Sequence, residues 1–346
     1  MPVSLQLTDR QRGILRCVVE EFVASGQPVG SKTIVARGGV AAGPSTVRAE
    51  LAELESLGLL THPHTSAGRV PTERGYRYYA DELLQRADPH PAAFPLDLHT
   101  QRTEVEAALQ ATTEMLSQVT RLLALVSAPP LEATTVRRVE VLLLQPDLAM
   151  VVIITSAGGV TKRTFHFDSA IDPGLAQWAH EYLNETVAGL QLGTALLRRR
   201  FEDPSLGARE RAFLGAIRPA FTDLVNAEQR LYVGGAADLL GDVRNEELEA
   251  YRSLFELVEK RAALLEVIGE SSLDPRRPFV RVGHELEHPA LTEIALVGAC
   301  YGLVHRALGA VSLVGPVRMD YEKALGAVRS AATELSRFVE SIYDER

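Results

Sequence analysis

Three short helical patterns, each ended by glycine, follow one another near the N-terminus of this sequence. In the first pattern, apolar residues recur at helical spacing after Thr8, a plausible N-cap, and stop before Gly26. A second short helix is predicted over Lys32–Ala36, and a third begins at Pro44 and ends at Gly58. Segments this short bury an apolar stripe only by packing on one another, which predicts a small three-helix unit.

A turn-rich segment follows the third helix. Two short runs, Leu59–Thr61 and Arg69–Pro71, flank the polar stretch His62–Gly68, and this composition is typical of a β-hairpin and its tip. A further helix is predicted over Thr72–Leu84. Three helices and a hairpin in this order are typical of a winged helix-turn-helix domain, which we place at residues 1–86.

Polar and basic residues lie where such a domain meets DNA. In helix-turn-helix proteins the first turns of the second motif helix enter the major groove, and Ser45, Thr46 and Arg48 occupy those turns here. Ser31 and Lys32 precede that helix and are expected beside the phosphates. The hairpin offers a further set for phosphates or the minor groove: His64, Thr65, Ser66 and Arg69. The alternative is that all of these residues form the solvated surface of a domain that contacts protein.

Net charge alone argues against a nucleic-acid partner, because the chain carries a formal charge of −9. The charge is unevenly distributed, however. Residues 1–86 hold ten Lys and Arg against nine Asp and Glu, whereas the remainder of the chain holds 26 against 36. The acidic surplus therefore lies entirely outside the segment that is predicted to bind DNA.

Beyond this segment, a linker rich in proline is predicted at 87–103. Helical spacing returns from Val105 to Val126 and is followed by strand patterns at Arg138–Leu144, Ala149–Thr155 and Val160–Phe167. The pair Gly158-Gly159 between the last two strands is typical of a hairpin turn rather than of a phosphate-binding loop. A helix followed by a three-stranded meander is therefore expected.

The remaining chain is largely helical from about Gly174 to Leu240. Strand patterns return only at Pro278–Val282, Thr292–Tyr301 and Gly309–Val314, before a closing helix over Tyr321–Tyr343. The chain is thus predicted to be an α+β multidomain protein in which one domain is interrupted by an inserted, mostly helical unit. The expected boundaries are 104–190 for the first part of that domain, 191–245 for the insertion and 246–346 for the second part.

Two patterns suggest an enzyme or a metal site. The run Gly298–Gly302 has the spacing of a nucleophile elbow around Cys300, but a strand-like run follows where an elbow needs a helix. His284 and His288 have the spacing of two ligands on one helix face, but the neighbouring glycine and proline disfavour a helix. We therefore expect no enzyme, no metal and no cofactor, with a hydrolase that uses Cys300 as the alternative class.

The two cysteines, Cys17 and Cys300, are far apart in the sequence and form neither a disulfide framework nor a zinc-ligand pattern. Cys17 lies in an amphipathic helix and is expected in the core. No apolar run approaches the roughly 20 residues that span a bilayer, and Met1–Leu7 lacks the features of a secretory signal. The expected location is the cytoplasm, without a membrane partner.

Several ordered motifs resemble the heat-inducible transcription repressor family, HrcA. One of them lies near the C-terminus, so the resemblance covers essentially the whole chain. The motifs are Gln27–Thr33, Ser45–Arg48, Pro63–Thr72, Arg74–Tyr79 and Gly315–Tyr321.

This resemblance implies a repressor of chaperone genes that binds a CIRCE inverted repeat in double-stranded DNA as a homodimer and is kept active by a GroEL-type chaperonin. It also implies a winged helix joined to a GAF-like domain with an inserted dimerisation domain. A small-ligand or chaperone-binding module is the third class of function. The sequence departs from the family at Gly43, where Ser is usual, and at Ala49, where Asn is usual, so base preference is expected to differ.

Overall fold

The structure is a computed structural model. It describes residues 6–38, 41–63, 68–86, 92–98, 105–128, 135–156, 159–222, 231–236, 252, 254–256, 258, 277–303 and 306–344. Helices and antiparallel sheets are both present, which confirms the predicted α+β class. Within the described residues, no helix is both long and apolar enough to cross a bilayer.

Residues 6–86 form what we call the N-terminal unit. Thr8 and Gln11 form a reciprocal capping box at the start of the first helix, and Gly26 ends that helix in the left-handed conformation with φ 69°. Pro44 stands in the first turn of the third helix, where its missing N–H costs nothing. The elements are α1 (Asp9–Ser25), α2 (Ser31–Ala36), α3 (Pro44–Ser56), β1 (Leu60–Thr61), β2 (Val70–Pro71) and α4 (Glu73–Arg86).

The second part of the chain contains two sheets and their helices. Its helices are α5 (Val105–Thr120), α6 (Pro173–Thr186), α7 (Ala195–Phe201), α8 (Ala208–Ile217), α9 (Pro219–Thr222) and α10 (Tyr321–Asp344). Its strands are β3 (Leu123–Ser127), β4 (Val136–Gln145), β5 (Leu148–Thr155), β6 (Val160–His166), β7 (Leu231–Gly234), β8 (Phe279–Val282), β9 (Ile294–Leu303) and β10 (Arg306–Pro316). Two short 3₁₀ turns, Gly283–Leu286 and Pro289–Leu291, connect β8 to β9.

The larger sheet has five antiparallel strands in the order β7-β3-β10-β9-β8. Helices α5 and α10 cover one face of this sheet, and α10 buries Val328, Leu335 and Val339 completely against it. The chain leaves the sheet after β3 and returns at β7, and these two strands pair directly with Ser127 opposite Leu231. An excursion of the chain therefore separates two neighbouring strands.

The apolar core of the N-terminal unit is continuous with the core of the sheet domain. The buried residues Ile14 and Val18 of α1 and Tyr76 of α4 belong to the same hydrophobic cluster as Val328 and Leu335 of α10. Burying one aliphatic side chain completely contributes about 1.5–3 kcal/mol to the free energy of folding. Apolar packing through α1 and α4 therefore connects the N-terminal unit to the sheet domain.

The excursion between β3 and β7 has a separate core. Strands β4, β5 and β6 form an antiparallel meander, as predicted, and one face of it, which includes Val139, Val151 and Ile153, packs on α6. The apolar residues of α7 to α9, among them Phe213 and Phe221, complete this second cluster. The predicted boundary at 190/191 falls inside this packed unit, so the packing favours an inserted unit over about 135–222 instead of 191–245.

Two predicted elements are wrong. The helix expected up to Val126 ends at Thr120, because Arg121 adopts a left-handed φ of 58°, and the next residues form β3. Residues 231–234, expected to be helical, form β7 at the edge of the larger sheet. Both strands are short and buried in whole or in part, so they show no alternation of apolar and polar residues.

The segment predicted as a linker, 87–103, is described over 92–98. Leu98 is buried in the main cluster, and its backbone N–H donates to the Glu334 carboxylate at 3.3 Å. Phe94 and Leu96 pack against the same cluster. This stretch therefore adheres to α10 instead of spanning open solvent.

Two helical glycines provide a matched test of this packing. At Gly75 in α4, an added Cβ would overlap the carbonyl oxygen of Leu59, whereas at Gly326 in α10 nothing lies within 4 Å of an added Cβ. Gly75→Ala should lower the free energy of unfolding by about 1–3 kcal/mol through overpacking. Gly326→Ala should raise it by about 0.5–1 kcal/mol through helix propensity. Thermal unfolding followed by circular dichroism measures both, and equal shifts of the midpoint would contradict the packing of α4 on Leu59.

Candidate nucleic-acid interface

The first turns of α3 present their polar side chains to solvent. Ser45, Thr46 and Arg48 are exposed, while Val47 between them is completely buried. The burial of Val47, and of Leu51 one turn later, determines which face of the helix points outward. The three residues predicted to enter a groove therefore lie together on an accessible helix face.

The start of α3 also carries no side-chain cap. Its N-cap residue is Gly43, in an extended conformation, and an added Cβ at Gly43 would meet nothing within 4 Å. The first amide groups of a helix have no partner inside the helix and carry partial positive charge. The start of α3 thus combines backbone donors, two hydroxyls and a guanidinium on one accessible surface.

Ser31 and Lys32 form the first turn of α2, where Ser31 is half-buried and Lys32 is exposed. Among the residues that the structure describes, the side chains of Lys32 and Arg48 have no ion-pair or hydrogen-bond partner. Most other cations of the N-terminal unit do have acidic partners, namely Arg10, Arg12, Arg16, Arg37, Arg69, Arg77 and Arg86. Arg74 of α4 donates to the backbone carbonyl of Leu57 and has no acidic partner among the described residues. The positive charge left unneutralised therefore lies on α2, on α3 and in the first turn of α4.

Arg69, predicted to contact phosphates or to enter the minor groove, forms an ion pair within the N-terminal unit. Its guanidinium lies 2.7 Å from the carboxylate of Glu55 on α3, which also contacts the imidazole of His62. The Arg69 side chain is only 24% exposed. Arg69 therefore ties the base of the hairpin to α3, and a phosphate would have to compete with Glu55 for it.

The hairpin base also pairs with the loop that precedes α2. The backbone amides and carbonyls of Val29 and Arg69 exchange two hydrogen bonds of 2.9 Å. At Gly68 an added Cβ would lie 2.6 Å from the carbonyl of Val29, so only glycine allows this approach. Val29 and Glu55 were not singled out from the sequence, because neither residue type carries a signal for a contact so distant along the chain. The other hairpin residues predicted to bind DNA, His64, Thr65 and Ser66, lie outside the described residues.

The alternative catalytic site does not have the geometry it would need. Residues 298–302, including Cys300, lie wholly inside strand β9, and the next element is strand β10. A nucleophile elbow requires a strained turn between a strand and a helix. Within the described part of the chain, no group of three His, Cys, Asp or Glu residues is placed to hold a metal ion.

Cys17 is buried in α1, as predicted. Burial is the main cause of a raised pKa for this thiol, and it outweighs the opposing effect of the nearby Arg37. A raised pKa reduces the fraction of thiolate at neutral pH, which is the opposite of what a reactive redox cysteine needs. Cys17 is a core residue.

Comparison with known proteins identifies relatives over most of the chain. The sequence model of the HrcA protein C-terminal domain matches residues 106–325. The heat-inducible transcription repressor HrcA of Nocardioides sp. (strain ATCC BAA-499 / JS614) is 35% identical over 306 residues, covering 85% of this chain and 87% of that protein. The HrcA of Desulforudis audaxviator (strain MP104C) is 30% identical over 341 residues, covering 97% and 99%.

One solved structure is similar over nearly the full length. It is described as the crystal structure of a hypothetical protein at 2.2 Å resolution and superposes with a TM-score of 0.67 and 24% sequence identity, covering 97% of this chain and 100% of that one. This similarity supports the arrangement of helices and sheets. The matched domain model and the sequence relatives show that the chain belongs to the HrcA family of heat-inducible transcription repressors.

Proposed function

We propose that this chain represses heat-shock chaperone genes by binding a CIRCE-type inverted repeat as a homodimer. In this proposal the N-terminal unit is a winged helix-turn-helix domain, and α3 is its recognition helix. The observation that carries the proposal is the outward face of α3, where Ser45, Thr46 and Arg48 are exposed above a buried Val47. Short polar and guanidinium side chains at the start of a recognition helix suit base edges and phosphates in the major groove.

Lys32 and Arg48 are given different roles. Arg48, in the second turn of α3, is proposed to reach a base edge, where a guanidinium makes paired hydrogen bonds with guanine. Lys32, in the first turn of α2, is proposed to contact a phosphate together with Ser31. Their lack of acidic partners among the described residues supports both assignments, since neither must break an ion pair to bind DNA.

The sheet domain is proposed to be GAF-like, with the unit over about 135–222 inserted for dimerisation. Several exposed apolar residues support this use of the insertion: Leu142 is 45% exposed, Leu144 48%, Val160 55% and Leu196 58%. Leu142 pairs with Met150 across the meander, on the face opposite to the one that packs on α6. Apolar side chains exposed at the surface of one unit suit burial in a protein interface. Control by temperature and a GroEL-type chaperonin is included in the proposal on the basis of the family resemblance.

The direct test is a gel-shift titration with an inverted-repeat duplex at several salt concentrations. The full-length protein should shift this duplex as a dimer, because two-fold protein symmetry matches two inverted half-sites. A duplex with both half-sites scrambled is the control, and the protein should bind it at least about 10³-fold more weakly. Equal affinity for the two duplexes at the same salt concentration would exclude sequence-specific repression and favour a protein-contact role for this unit.

Substitution of the two unpaired cations should have different effects. Arg48→Ala should weaken operator binding by about 1–3 kcal/mol and relax base preference at one position. Lys32→Ala should weaken binding to all sequences equally and reduce the salt slope by about one. Both are measured by titration against the operator and a single-base variant series.

Arg86→Ala is the matched control. It removes a guanidinium of the same unit, but one that already pairs with an acidic residue, Glu82. This variant should change neither base preference nor the salt slope. If Arg48→Ala behaves like Arg86→Ala, the assignment of Arg48 to the groove is wrong.

The proposed dimer surface is tested by placing a charge in it. Leu142→Glu should shift the equilibrium towards monomer, because a carboxylate buried between two apolar faces loses its hydration without a partner. Ala212→Glu is the matched control, since Ala212 is an exposed residue of α8, which belongs to the core on the opposite face of the meander. Light scattering coupled to size-exclusion chromatography reports the mass, and an unchanged mass for Leu142→Glu would move the dimer contact elsewhere.

A further inference from the structure

Helix α4 joins the N-terminal unit to the sheet domain through a set of polar contacts. The carboxylate of Glu73 accepts a hydrogen bond of 3.0 Å from the backbone amide of His284 and lies 2.7 Å from Nδ1 of the same residue. Gly283 has φ +53°, and an added Cβ there would lie 2.7 Å from both carboxylate oxygens. Glycine at position 283 is therefore what allows Glu73 to bind the turn after β8.

Arg77 lies one helical turn after Glu73 and contacts the same part of the sheet domain. Its guanidinium donates to the backbone carbonyl of Val280 in β8 and lies 3.3 Å from the carboxylate of Glu285. It also pairs with Asp81 on its own helix, and its side chain is only 24% exposed. A largely buried guanidinium held by two carboxylates and a carbonyl resists displacement, because each donor would otherwise lose its partner.

Tyr76 completes this contact on the apolar side. Its ring centroid lies 6.0 Å from that of Tyr321, the first residue of α10, and both side chains are buried. The hydroxyl of Tyr321 donates to the carbonyl of Val317 at 2.7 Å, which fixes its ring. We call the contacts of Glu73, Tyr76 and Arg77 with the sheet domain the α4 clasp.

The same helix is equally fixed to the N-terminal unit. Gly75 lies against the carbonyl of Leu59, and Tyr79 and Ala80 belong to the core that α4 shares with α1. Because α4 is packed on both sides, the N-terminal unit cannot turn relative to the sheet domain without breaking the clasp. The direction of α3 is therefore determined by contacts far from α3 itself.

We propose that Glu73, Arg77 and His284 are positioning residues that determine which spacing between operator half-sites the dimer accepts. This inference rests on the proposed function, a dimer on an inverted repeat. One added base pair turns a half-site by about 35° and moves it by about 3.4 Å. With the α4 clasp intact, the N-terminal unit cannot reorient to match the new spacing. One of the two recognition helices then no longer reaches its major groove, and the affinity gained from simultaneous binding is lost. Without the clasp, the unit can reorient and both helices can bind.

The experiment measures affinity for a series of operators whose central spacer is shortened or lengthened in single base pairs. The wild-type dimer should lose affinity steeply away from one spacing, by about a hundredfold when the second half-site is out of phase. Glu73→Ala and Arg77→Gln should flatten this profile to a change of about tenfold or less while affinity for an isolated half-site stays unchanged. Glu82→Ala on the same helix, whose partner Arg86 is also on α4, is the control and should keep the steep profile.

Isolated half-site binding also reports whether a variant is folded. His284→Ala gives a milder test of the same contact, because its side chain is 76% exposed and its loss buries no new group. Spacing profiles of Glu73→Ala and His284→Ala that match the wild type would overturn the inference. Failure of the wild type to prefer any inverted repeat over an isolated half-site would instead overturn the proposed function, so the two failures are distinguishable.

Discussion

Burial of the apolar face of α10 is the interaction on which the rest of the architecture depends. This helix covers the five-stranded sheet, packs beside α5, holds residues 92–98 through Leu98 and Glu334, and receives α4 at Tyr321. A sheet with one uncovered apolar face would not remain folded in water, so the domain requires α10 in order to fold. Because α1 and α4 contribute to the same cluster, the N-terminal helices share a continuous apolar core with the C-terminal half.

Electrostatics in the N-terminal unit explain how an acidic protein can present a surface for DNA. The acidic residues of this unit are used mainly within it: Glu50 holds Arg10, Glu55 holds Arg69, and Glu20 with Glu21 holds Arg37. These pairs lie at or near the surface and add little stability. Their effect is on how the charge is distributed, because they neutralise most cations of the unit and leave Lys32, Arg48 and Arg74 without an acidic partner among the described residues. The local electrostatic potential, and not the net charge of the protein, determines where a phosphate backbone binds.

Much of the fold was predictable, because its stop signals are local. Thr8, Gly26 and Pro44 define the ends of helices by their own chemistry, and the observed ends of α1 and α3 lie within about two residues of the predicted ones. The exposure of Ser45, Thr46 and Arg48 follows from the burial of Val47 and Leu51, so a helical wheel was enough to find it. Strand β3 could not be found in this way, since it follows an amphipathic helix directly and is buried on both faces.

The contacts between distant residues were also beyond the sequence. Glu55 and Arg69 are ordinary charged residues of a helix and a hairpin, and Glu73 and His284 are 211 positions apart. The sequence offered glycines at 68 and 283 without indicating which backbone or side chain would approach them. The extent of the inserted unit is difficult to predict for a related reason. Its meander and its helices look like separate regions along the chain, and only a shared core shows that they form one body.

The pairing of β3 with β7 has a consequence for how this domain is built. Because the two strands are antiparallel neighbours, the whole unit over 135–222 occupies the place of the connecting turn in a β-hairpin. The entropy cost of closing such a connection rises only slowly with its length. Lengthening, shortening or even exchanging this unit therefore leaves the strand register and the helices behind the sheet undisturbed, so evolution can reshape it without rebuilding the rest of the repressor.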